Sequence, residues 1–126
     1  MITSQTVSNG NLPALIANDV YAWPADALTF RRHNAADRTM LRIAGSFDAI
    51  STPQLRVPLD MVVAARRSKV ELDLSSLRSI DSSGVGAIVS LYKRVRAQGG
   101  RVKLQGLHGQ PLAIFQLLRL DRLLGA

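Results

Sequence analysis

The stretch that most narrows what this chain can fold into runs over residues 70–96, where an alternating strand gives way to a helical stripe that opens on two serines. Val70, Leu72 and Leu74 alternate with Glu71, Asp73 and Ser75, the period of two of a strand with one covered face. From Val85 the period changes: Val85, Ile88, Val89, Tyr92 and Val95 recur at helical spacing. Between the two patterns, residues 76–80 read as a short connector, and Asp81-Ser82-Ser83-Gly84 opens the helix. Lys93, Arg94 and Arg96 suit the negative end of a helix dipole, and Gly99-Gly100 stops the helix. Ser82 and Ser83 therefore stand at a helix N-terminus, where free backbone N–H groups and the positive dipole end favour an anion.

The rest of the chain alternates in the same way. Residues 27–30 and 39–43 read as a hairpin around Asn34-Ala35-Ala36-Asp37, with Gly45 ending its second strand. Asp48 follows in a loop, Thr52 is placed to cap a helix, and Pro53 suits its first position. That helix is expected over residues 54–67, with Leu55, Leu59, Val62 and Val63 facing inward. Pro58 would cost such a helix about 3 kcal/mol, so either the helix kinks there or its first turn is separate. Residues 101–106 alternate as a strand. Residues 111–120 read as a last helix with Leu112, Phe115, Leu117 and Leu118 on its core face, and residues 123–126 leave room for a stub of strand. Strand–helix units in series imply an α/β domain with a partly parallel sheet.

Length allows one domain: 126 residues support a single core. Residues 1–25 carry one charge, Asp19, and read as an N-terminal extension to a domain over residues 26–126. Leu12, Leu15, Ile16 and Val20 could share one helical face there, with Trp23 docking on the core; an ordered helix and a loose tail both remain open. The absence of cysteine excludes disulfides and thiolate metal sites. No apolar run approaches the roughly 18–20 residues of a membrane span, and MITSQTVSNG lacks the pattern of a secretory signal, so a cytoplasmic protein is expected. The net charge of +7 is spread along the chain without blocks of like charge. Aromatic residues, 5% of the chain, do not interleave with the arginines, so a solvated basic surface is expected rather than direct nucleic-acid binding.

Catalytic patterns are missing. Gly84-Val85-Gly86 lacks the third small residue of a dinucleotide fingerprint, because Val89 stands there. There is no phosphate-loop lysine motif, and the serines are not framed as G-x-S-x-G. His33 and His108 are isolated in expected turns, without a companion ligand. The sequence therefore points to no enzyme, no cofactor and no metal site.

The run Ser79-Ile80-Asp81-Ser82-Ser83-Gly84-Val85-Gly86-Ala87-Ile88 resembles the phosphorylation segment of STAS domains, most closely that of the bacterial anti-sigma factor antagonists. The resemblance covers roughly residues 28–124 and includes Gly45-Ser46-Phe47-Asp48 and Gly99-Gly100-Arg101-Val102. It implies a single STAS-like α/β domain, with a mixed four- to five-stranded sheet and three to four helices packed on it. It also implies that Ser82, the first serine after the aspartate, accepts a phosphate; Ser83 is the alternative acceptor and the better helix cap. By the same resemblance, the unphosphorylated protein binds a serine kinase that doubles as an anti-sigma factor, and a metal-dependent serine phosphatase resets the switch.

Ser83 and four further residues belong to the implied partner surface. Asp48 matches the aspartate of the family's kinase-facing loop, although Ser46 and Phe47 depart from the acidic residue and leucine usual there. Asp81 is either a helix cap or part of the recognition surface. Gly84 and Gly86 let a partner backbone approach, or else let the helix pack tightly; on the first reading, Gly84→Val costs partner binding more than stability. The alternative function is that of a STAS subunit in a bacterial phospholipid-transport ABC system, whose members more often carry Thr or Gly at the serine positions.

Overall fold

The computed structural model describes residues 14–15, 20–22 and 28–123. One mixed sheet runs in the order β1-β2-β3-β4-β5-β7, with β6 beside β4. Strands β1 (Ala14–Leu15), β2 (Val20–Ala22), β3 (Leu28–Asn34) and β4 (Thr39–Phe47) pair antiparallel in series. Strand β4 then runs parallel to β5 (Lys69–Asp73) and to β6 (Leu77–Ile80), and β5 parallel to β7 (Arg101–Gln105). The helices are α1 (Arg56–Ala64), α2 (Ser82–Ala97) and α3 (Gly109–Leu117). The five strands β3–β7 and three helices make the expected mixed α/β architecture, to which β1 and β2 add a short antiparallel pair at one edge. Leu15 and Val20 thus lie in strands, not on the helical face their spacing suggested; Leu12, Ile16 and Trp23 lie outside the described residues.

Alternation decides which face is covered. Leu28 and Phe30, Leu41 and Ile43, Val70 and Leu72, and Val102 and Leu104 are all buried on one side. Leu59, Val62 and Val63 of α1 and Val85, Ile88, Leu91 and Val95 of α2 complete that core. Each such side chain contributes about 1.5–3 kcal/mol on burial. The opposite face carries Arg31, His33, Met40 and Arg42 outward, so His33 belongs to β3 rather than to a turn.

Gly45 does not end its strand. With φ of +95°, a value that glycine adopts freely, it lets β4 change register and continue to Phe47. The first half of β4 pairs with β5; the second half lies beside β6, in Ser46↔Ser79 and Phe47↔Ile80 register. The expected connector over residues 76–80 therefore contains a strand. Because β4 and β6 are parallel, the loops that follow Phe47 and Ile80 emerge together at one end of the sheet.

Pro58 is accommodated by a separate first turn. Thr52–Leu55 form a 3-10 turn and α1 restarts at Arg56, so Pro58 falls in the first α-helical turn, where its missing N–H costs little. Thr52 does not cap this turn; its hydroxyl donates to the Asp48 carbonyl at 2.6 Å. The helix ends at Ala64, three residues short of expectation, and the chain turns at Arg66 with φ of +54°. In α3, Pro111 and Phe115 are the buried residues, whereas Leu117 and Leu118 are 78% and 45% exposed and do not belong to the core face. Asp121–Leu123 form a 3-10 turn, and residues 124–126, which hold most of the expected strand stub, lie outside the described residues.

Candidate functional site

Asp81 joins the two loops at the end of the β4–β6 pair. Its backbone N–H donates to the Phe47 carbonyl at 3.2 Å, extending the strand pairing by one bond. Its side chain then takes the N-cap role of α2: Oδ1 accepts from the N–H of Ser83 at 2.8 Å and of Gly84 at 3.2 Å. Such a cap is worth about 0.5–2 kcal/mol, and its charge also suits the positive end of the helix. Its second oxygen, Oδ2, accepts from the N–H of Ala49 at 3.0 Å. One carboxylate thus fixes the start of α2 and ties it to the loop after β4.

Ser83, expected as the better cap, is instead the donor to that cap through its backbone, and it is half-buried. Ser82 is the first residue of α2 and is exposed. Among the described hydrogen bonds none uses its hydroxyl. An exposed, uncommitted hydroxyl at the positive end of a sixteen-residue helix is geometrically open to an incoming phosphoryl donor.

The neighbouring loop is built by Asp48. Its Oδ1 accepts from the N–H groups of Ile50 and Ser51, both at 3.0 Å. Ser51 is buried, donates its hydroxyl to the Ser46 carbonyl at 2.9 Å, and accepts from the Asp48 N–H at 3.0 Å. Asp48 therefore acts first as the organiser of its own loop. This closed turn holds Ile50 outward with 80% of its surface exposed, one residue from the Ala49–Asp81 bond. Ile50 is the site residue that sequence reasoning missed; the one signal was an isolated apolar residue between Asp48 and Pro53, off every periodic stripe.

The two glycines part company. Gly84 is buried, and a Cβ there would stand 2.7 Å from Ile80 Cγ1 and 3.0 Å from Phe47 Cγ, as well as against the Phe47 carbonyl oxygen. This close packing of α2 on the end of the β4–β6 pair is the second of the two roles that its sequence allowed. Gly86 is exposed, with open space around its α-carbon, and belongs to the same outer surface as Ser82.

A third element braces the site. The side-chain amide of Gln110, in the first turn of α3, accepts from the Ile80 N–H and donates to the Ile80 carbonyl, each at 2.9 Å. This amide substitutes for a neighbouring strand along the free edge of β6, immediately before Asp81 and Ser82. Nearby, His108 Nε2 lies 2.9 Å from the Ser75 carbonyl, where it serves as a hydrogen-bond donor to the chain.

The chain matches the family model described as "Mlab, STAS domain" over residues 30–125. Over 77 residues it is 32% identical to an anti-sigma-B factor antagonist of Bacillus subtilis, spanning 61% of this chain and 70% of that protein. Its fold resembles that of an anti-sigma factor antagonist from Mycobacterium paratuberculosis, with a TM-score of 0.68 at 20% identity over 77% of this chain and 82% of the other. It also resembles the Bacillus cell fate determinant SpoIIAA in its phosphorylated form, with a TM-score of 0.61 at 21% identity over 74% and 86%. The chain belongs to the STAS domain family and, within it, to the anti-sigma factor antagonists. No helix among the described residues is long and apolar enough to cross a membrane.

Proposed function

We propose that the protein is a phosphorylation-switched anti-sigma factor antagonist in which Ser82 is the phosphate acceptor and Ser83 the alternative. The observation that carries this reading is the division of labour at the start of α2: Asp81 takes over capping and leaves the Ser82 hydroxyl exposed and uncommitted. In the unphosphorylated state the surface around Ser82, Gly86, Asp48 and Ile50 binds a serine kinase that also acts as an anti-sigma factor. Ile50 offers an exposed apolar side chain for burial in that interface. The kinase then phosphorylates Ser82, and a metal-dependent serine phosphatase reverses the modification. The protein is itself a cytoplasmic binding module rather than an enzyme, and its switching unit spans residues 26–126, with residues 1–25 as an extension.

The charge explains how binding would end without unfolding. A phosphoserine brings about −1.5 to −2 charge at neutral pH, which the dipole end of α2 tolerates within the free protein. At an interface the same charge must lose its water, at several kcal/mol when left unpaired. It would also stand next in sequence to the Asp81 carboxylate, whose bond to the Ala49 N–H ties down the loop that presents Ile50.

Intact-mass analysis of the protein purified from its native host, followed by peptide mapping, tests the assignment. One phosphoryl group on the Ser82 peptide, removed by phosphatase and absent from Ser82→Ala, is the expected result. A group on Ser83 moves the acceptor by one residue. An unmodified protein under all growth conditions overturns the switch and favours the transport-subunit function.

A further inference from the structure

The sheet face turned away from α1 and α2 holds a concavity of about 580 Å³, within the roughly 300–1,000 Å³ of small-molecule sites. Strand register arranges its lining in rows. One row runs Arg31↔Arg42↔Asp73↔Gln105 across β3, β4, β5 and β7, and the next includes His33↔Met40↔Glu71. We propose that this concavity binds a small molecule through an anionic group, phosphoryl or carboxylate, held between Arg31 and Arg42.

Arg31 and Arg42 stand directly opposite each other, and like charges in that position destabilise an antiparallel pair. Arg42 has company: it lies 3.9 Å from Asp73 and donates to the Ser76 hydroxyl at 2.9 Å. Arg31 is exposed and has no acceptor among the described residues. Among the described residues, the two carboxylates that line the concavity are engaged elsewhere. Glu71 is bound by Arg38 at 2.8 Å, and Asp73 accepts from the Ser75 N–H at 2.9 Å in addition to facing Arg42. Burial works to raise the Asp73 carboxyl, but the Ser75 hydrogen bonds and the Arg42 charge outweigh it and hold the group below the ordinary carboxylate range. Asp73 therefore stays ionised and committed.

What remains at the β3 side of the concavity is the Arg31 guanidinium, without an acceptor among the described residues and in cross-strand register with Arg42, a cationic pair that a forked phosphate or carboxylate suits. The remaining lining suits an organic body. Met40 is 39% exposed and presents an apolar, adaptable surface beside His33. Gln105 lies three interstrand gaps from Arg31, about 14 Å at the usual strand spacing, and supplies an amide for the far end of a ligand. None of these residues takes part in the start of α2, so the site does not rest on the assignment of Ser82.

Amide-resolved NMR titration with inorganic phosphate and with succinate, at constant ionic strength set by chloride, tests the proposal. Saturable shifts confined to Arg31, His33, Arg42 and their neighbours are expected. Arg31→Gln should weaken binding about tenfold or more, the loss of one charge-assisted hydrogen bond. Arg56→Gln, at an exposed arginine of α1, should leave binding unchanged. Non-saturating shifts over the whole basic surface, or wild-type affinity in Arg31→Gln, would overturn it. Sedimentation with phosphatidylglycerol vesicles in the absence of any response to the soluble anions would also overturn it, in favour of a membrane surface.

Discussion

Helices α2 and α3 both begin beside Ile80, yet they are held in opposite ways. α2 is fixed by its own chain: Asp81 caps it, Gly84 lets it sit against Phe47 and Ile80, and an apolar stripe runs down one side. α3 has no side-chain cap at His108, begins at Gly109 with φ of +60°, and is apolar on every side, with Leu117 and Leu118 left exposed. It is anchored instead by long-range contacts, the Gln110 amide on Ile80 and the burial of Pro111 and Phe115. A helix that begins on local chemistry can present a reactive residue at a fixed place. One docked from a distance serves as a brace.

Four substitutions test that contrast, in decreasing order of expected effect. Gly84→Val should lower stability by about 3 kcal/mol, because the new side chain meets a carbonyl and a packed aromatic that cannot move aside. Urea melts read the loss as a lower midpoint at unchanged slope; wild-type stability with weakened partner binding would assign this glycine the partner-approach role instead. Gln110→Ala strips both backbone partners from Ile80, which is 2% exposed, and should cost about 2 kcal/mol. Hydrogen exchange should quicken at Ile80 and Asp81 in that variant, and an unchanged rate there would remove α3 as the brace. Asp81→Ala should cost about 1 kcal/mol in the same melts and raise exchange at Ser83, Gly84 and Ala49 together. Protection lost at Ser83 alone would show that the bond to the Ala49 loop is not formed in solution. Leu117→Gln should stay within about 0.5 kcal/mol of wild type. A larger loss would place Leu117 back in the core.

The same contrast explains what was legible in the sequence. Strand β5, helix α2 and the D-S-S-G start could be read because period and capping chemistry are local and agree with one another. Strand β6 could not: its buried residues are Leu77 and Ile80, three apart, so four residues show no alternation. Its existence depends on Gly45 swinging β4 across, an event 32 residues away in sequence. The core face of α3 was misjudged because a helix rich in apolar residues on all sides has no stripe to read, and its end at Leu117 leaves the last leucines beyond the core. Within the candidate site, Ser82, Asp48 and Asp81 could be proposed from pattern alone. The exchange of roles between Asp81 and Ser83, the packing of Gly84 and the exposure of Ile50 emerged only when two loops met in space.

The central claim is that a phosphate on Ser82 ends partner binding while the fold survives. Calorimetric titration of the unphosphorylated and Ser82-phosphorylated protein against the proposed kinase partner, with circular dichroism on both forms, measures it directly. Identical spectra are expected, with an affinity about tenfold to a hundredfold weaker for the phosphorylated form, the weight of roughly 1.4–2.8 kcal/mol of unpaired charge at the interface. Equal affinities for the two forms would contradict it.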